Sequence, residues 1–71
     1  MMSPDLGRTI DTLWRMESPR LIASLTRMLR DVGLAEDMAQ EALVAALERW
    51  PRDGVPDNPA AWLMTTARRR A

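Results

Sequence analysis

The sequence contains no cysteine, histidine, lysine, phenylalanine or tyrosine. Without cysteine there is neither a disulfide framework nor a thiolate metal site. Without histidine the chain lacks the commonest general base near neutral pH and the commonest zinc ligand. An enzyme is therefore not expected, and catalytic residues, metal ligands and cofactors are all read as none. No apolar run approaches the roughly 18 residues that span a bilayer, and no signal-peptide apolar segment follows the start. A cytoplasmic protein with no membrane partner is the expectation. The formal net charge is zero, which by itself leaves no nucleic-acid footprint.

What is present is small and helical. Seventy-one residues make one domain at most, with a thin core that is marginal unless its helices pack well or a partner helps. A hydrophobic fraction of 46% is ample for a folded domain and argues against disorder. Every basic residue is arginine, and half the acidic residues fall between Asp31 and Glu48.

Helix is the only period. In "SPDLGRTIDTLWRMES", Ser3 reads as an N-cap with Pro4 at the first helical position. Leu6, Ile10, Leu13 and Trp14 then form one amphipathic stripe. The same start signal recurs at Ser18 and Pro19, which either begin a second helix or interrupt a continuous one. Leu21, Ile22, Leu25, Met28, Leu29 and Val32 supply the next apolar face, and Gly33 is expected to stop it as a C′ residue. A further helix should run from Leu34 or Ala35 to Trp50, halted by Pro51. "WPRDGVPDNP" reads as a loop, after which Asn58 caps a last helix with Pro59 at its first position. That helix carries no Gly or Asn stop signal and ends in three arginines, which we read as a cut through a helix. The expectation is an all-α fold, a small bundle of three to four helices, forming a single domain over residues 1–71 that is a fragment of something longer.

The helix "AEDMAQEALVAALERW" is one-sidedly acidic. On a wheel at about 100° per residue, Ala39, Ala42, Leu43, Ala46, Leu47 and Trp50 gather on one side, with Met38 at the margin. Asp37, Gln40, Glu41, Val44 and Glu48 gather on the other. Asp37 and Glu41 are like charges at i,i+4, mildly destabilising in an isolated helix, whereas Glu36 and Asp37 near the N-terminus suit the macrodipole. Either this is a solvated face or it is a docking surface for a basic partner. The missing i,i+4 cations and the apolar Val44 inside a polar rim suit docking, where carboxylates accept bidentate arginine contacts.

This helix resembles the most recognisable helix of region 2 in the sigma-70 family, in its extracytoplasmic-function (ECF) branch: Ala-Glu-Asp, an aliphatic residue, Gln-Glu, then an Ala-rich run ending in Trp. "SPRLIASLTRMLRD" is similar to the preceding helix of that family and "NPAAWLMTTARRRA" to the start of its promoter-reading helix. The resemblance covers about Leu13 to Ala71. It implies an RNA polymerase sigma factor region that binds core RNA polymerase through the clamp coiled coil of the largest subunit. Asp37, Gln40 and Glu41 would lie at that contact, with Val44 and Glu48 completing the face.

The resemblance also implies a role in minus-ten element recognition and melting of promoter DNA, by capture of the non-template single strand. That chemistry needs a loop and a helix start presenting polar groups and positive charge. Arg52, Asp57 and Asn58 are the loop candidates; Arg68, Arg69 and Arg70 are those of the helix. Each has a plainer alternative: Asn58 as an N-cap, Asp57 as the acceptor of an Asx-turn. Trp62, with Leu63, Thr66 and Ala67 on one face, reads mainly as core, although the related Trp in larger sigma factors edges the melted bubble. Three consecutive arginines cannot share one helical face.

The chain departs from the family pattern in having Arg69 where Asn is common and in offering few aromatic platforms for bases. The C-terminal region 4 helix-turn-helix domain is also absent, so the chain is not expected to direct transcription alone. An anti-sigma factor is a further partner that the resemblance leaves open. The reading from another class is a helical interaction or dimerisation module with no DNA role, a homodimer completing its core through Trp14, Trp50 or Trp62. An ordinary helix-turn-helix repressor fits less well, because "DNPAAWLM" is largely apolar where a recognition helix is polar.

Overall fold

In the computed structural model, which describes residues 4–70, the chain forms three helices: α1 (Pro4–Leu29), α2 (Val32–Asp53) and α3 (Pro59–Arg70). Ser3, the expected N-cap of α1, lies outside the described residues. The fold is the all-α bundle expected, with three helices because Ser18 and Pro19 do not divide α1. Pro19 withholds one N–H from the carbonyl of Arg15. Both residues are exposed, so water reaches the freed carbonyl and the helix continues. Twenty-six residues at about 1.5 Å each give roughly 39 Å, so α1 sets the long axis of a molecule measuring 37 × 20 × 20 Å.

The first turn between helices is made differently from the sequence expectation. Gly33 does not end α1; it lies in the first turn of α2. Arg30 takes the left-handed position instead, at φ 56°, with its N–H bonded to the carbonyl of Thr26 at 2.6 Å. Asp31 then caps α2, its Oδ1 accepting from the N–H of Leu34 at 3.0 Å. The capping carboxylate satisfies a donor that would otherwise be orphaned, and that bond places the boundary two residues earlier than the glycine suggested.

Pro51 does not halt α2, which continues to Asp53. A proline near a helix end removes a single bond, here to the carbonyl of Leu47, and both residues are solvent-accessible. The stop is Gly54, at φ 88° and ψ 161°, whose N–H bonds to the carbonyl of Trp50 at 2.9 Å. After the loop, Asn58 caps α3 as expected, its Oδ1 accepting from the N–H of Ala61 at 3.1 Å.

The core is built around a face of small residues. Ala35, Ala39, Ala42 and Ala46 of α2 are fully buried, with Trp50 at the end of the same stripe. Methyl side chains let neighbouring helices approach closely, so α2 lies between α1 and α3, which hardly touch each other. Ile10, Leu21 and Leu25 from α1 and Leu63 and Ala67 from α3 complete the cluster. Three residues expected in the core are not there. Met28 and Val32 are 49% and 57% exposed, because α1 ends at Leu29 and the chain turns before either can be covered. Leu47 is 40% exposed, because neither flanking helix reaches that side of α2.

Candidate functional site

The outer face of α2 is laid out by its period. Asp37, Gln40, Glu41, Val44 and Glu48 are all exposed, on the side away from the alanine stripe. The expected separation of polar and core faces is therefore present in the structure. Among the described residues the one ion pair joins Arg15 and Asp11 on α1, at 3.2 Å. The α2 carboxylates thus carry unneutralised charge to the surface. Val44, 51% exposed, sits among them. Leu47 belongs beside it: it follows Gln40 by seven residues and so lies within about 20° of that side chain. The apolar centre of this face is consequently wider than the sequence reading allowed, two aliphatic side chains within a rim of Glu36, Asp37, Glu41 and Glu48. The heptad spacing from Gln40 was the available signal for Leu47.

A second site lies where the end of α2 meets α3. A cleft of about 440 Å³ is lined by Arg49, Pro56, Asn58, Ala61, Trp62, Thr65, Thr66 and Arg69. A smaller recess of about 90 Å³ shares Arg49, Trp62, Thr66 and Arg69 with it and adds Ala45. Of the residues proposed from sequence to meet nucleic acid, Asn58, Trp62 and Arg69 are brought together here. Arg52 is not; it lines a separate cleft with Glu48, Arg49 and Asp53. Arg68 is exposed but lines neither cleft, and the side chain of Arg70 lies outside the described residues. Asp57 is exposed, and its carboxylate makes no hydrogen bond among the described residues, so no Asx-turn forms.

The structure adds Arg49, Thr65 and Thr66 to the cleft. Thr65 and Thr66 follow from the helical spacing to Trp62 and Arg69. Arg49 could be placed only by knowing which side of α2 carries α3.

Trp62 is half-buried and not wholly core, because it also lines the cleft. Its ring meets that of Trp50 edge to face. Trp50 is 2% exposed, and its indole Nε1 has no hydrogen-bond partner among the described residues. Among the described residues no group of His, Cys, Asp or Glu could hold a metal ion, and no helix is long and apolar enough to cross a membrane.

A family model described as Sigma-70 region 2 matches residues 13–71. A relative named "Uncharacterized protein R00370", from Rhizobium meliloti (strain 1021), is 46% identical over 50 residues. That match covers 70% of this chain but only 12% of the relative, so the chain spans a small part of that relative's length. No solved structure matches the chain.

Proposed function

Because the chain belongs to the sigma-70 region 2 family, we propose that the outer face of α2 docks on the clamp coiled coil of the largest subunit of core RNA polymerase. One observation carries this reading: unpaired carboxylates surround two exposed aliphatic side chains, Val44 and Leu47, on a helix whose opposite face is spent on the core. A solvated face has no use for that apolar centre. A basic helical partner would cover it while its arginines meet Asp37, Glu41 and Glu48, with Gln40 hydrogen-bonding alongside. The Ala-Glu-Asp and Gln-Glu pattern supports the ECF branch, and a cytoplasmic location follows from work on the polymerase.

The cleft between α2 and α3 is the corresponding candidate for the non-template strand of promoter DNA. Trp62 offers an aromatic ring to a base, Arg69 a cation for the backbone, and Asn58 a polar amide in the same cleft. Asn58 already uses its Oδ1 as a cap, which leaves its amide nitrogen free to donate. Arg52, Asp57, Arg68 and Arg70 would act outside the cleft, along the strand's path. The dimer reading loses one of its three contacts, since Trp50 is buried within the chain's own core.

Co-purification of the chain with a recombinant clamp-helix fragment tests the docking reading. Gln40→Ala combined with Glu41→Arg should abolish capture while circular dichroism stays unchanged. Capture undiminished by the pair would exclude this face as the docking surface.

A further inference from the structure

We propose that Arg49, the first cation along α2, works with Arg69 to hold one backbone phosphate of a single-stranded nucleic acid in the cleft between α2 and α3. The inference rests on the nucleic-acid reading of that cleft and assigns its anion site to residues on two helices. Arg49 and Arg69 line both the cleft and the smaller recess, together with Thr66 and Trp62. Neither guanidinium has an ion pair or hydrogen bond among the described residues. Two unpaired cations bordering one recess repel each other, and an anion between them replaces that repulsion with two charge-assisted bonds. A phosphodiester suits the recess because guanidinium forks match phosphate oxygens and a threonine hydroxyl can donate to a remaining one. The adjacent indole would take the base attached to that phosphate.

The placement also separates the two surfaces of α2. Arg49 follows Val44 by five residues, which turns it about 140° around the helix axis. The helix thus presents carboxylates to one partner and a single arginine to another, and the two functions are separable by substitution.

Anisotropy of a fluorescein-labelled, single-stranded DNA oligonucleotide, titrated with the 71-residue chain across a range of salt, tests the assignment. Losing one phosphate contact should lower the slope of log affinity against log salt by about 0.7, a weakening of about eightfold near 50 mM salt. Arg49→Ala combined with Arg69→Ala should show that full loss, and Arg49→Ala or Arg49→Gln alone should weaken binding by part of it, because Arg69 still meets the phosphate. Arg49→Lys should keep the slope, because it keeps the charge. Arg8→Ala, which removes an exposed arginine of α1 outside the cleft, should change affinity by less than about twofold. If the unsubstituted chain shows no salt-dependent binding, the nucleic-acid reading of the cleft falls and this inference falls with it. If the chain binds and Arg49→Ala matches it, or if Arg8→Ala weakens binding equally, the assignment of Arg49 alone is overturned.

Discussion

Trp50 and Trp62 meet edge to face, with ring centroids 5.3 Å apart and planes inclined by 65°. The contact joins the end of α2 to the start of α3, which together wall the cleft. It puts the positive edge of one ring against the negative face of the other, an arrangement that contributes about 0.5–1.5 kcal/mol beyond the area buried. A 71-residue chain with a core of mostly alanine has few contacts of comparable size.

Trp50→Ala should therefore cost about 3–5 kcal/mol, enough to unfold a domain this small. Trp50→Phe should cost less, under about 2 kcal/mol, because it also removes an indole N–H that is buried without an acceptor. Urea denaturation followed by circular dichroism would rank the two. Equal losses would mean that the Nε1 atom does find a partner.

Gly33 and Gly54 should respond in opposite directions. A Cβ on Gly33 would meet only the Asp31 carboxylate, at 3.5 Å, an ordinary contact within a helix. Gly33→Ala should stabilise the chain by about 0.4–1 kcal/mol. Gly54 has free space around it but sits at φ 88° and ψ 161°, a region that essentially only glycine occupies. Gly54→Ala should cost about 1–3 kcal/mol. Thermal melts of both variants are the check, and destabilisation by Gly33→Ala would restore the C′ role that the sequence suggested.

Asn58 should separate capping from nucleic-acid contact. Asn58→Ala should lose about 1 kcal/mol of stability with the cap. Asn58→Asp keeps the capping oxygen and adds a charge favourable to the helix N-terminus, so stability should hold within about 0.5 kcal/mol. The same carboxylate in the cleft should repel a phosphate backbone, and oligonucleotide anisotropy should weaken. If Asn58→Asp binds as tightly as the unsubstituted chain, Asn58 is a cap alone.

These contrasts also indicate what was legible before the structure. Asn58 with Pro59, the alanine stripe and the polar face of Asp37, Gln40 and Glu41 are local patterns, set by helical period and by a side chain reaching three residues ahead. They could be read directly. Gly33 misled because a capping carboxylate at Asp31 outweighed the conformational freedom of glycine, and Arg30 accepted the left-handed turn. Leu47, Met28 and Val32 were misplaced for another reason. A helix wheel shows which residues share a side, but not how wide an arc the neighbouring helices cover. Arg49 went unplaced for the same cause: its surroundings come from α3, a dozen residues further along the chain and across a loop.

The most direct test of the docking surface is the dissociation constant for a clamp-helix fragment, measured by titration calorimetry for the unsubstituted chain, Asp37→Arg and Val44→Asp. Asp37 and Val44 are both solvent-exposed, so helicity should be unchanged in either variant. We expect Asp37→Arg to weaken binding by at least about tenfold through lost and reversed charge, and Val44→Asp to do the same by wetting the apolar centre. Equal affinity for all three proteins would contradict docking through the outer face of α2.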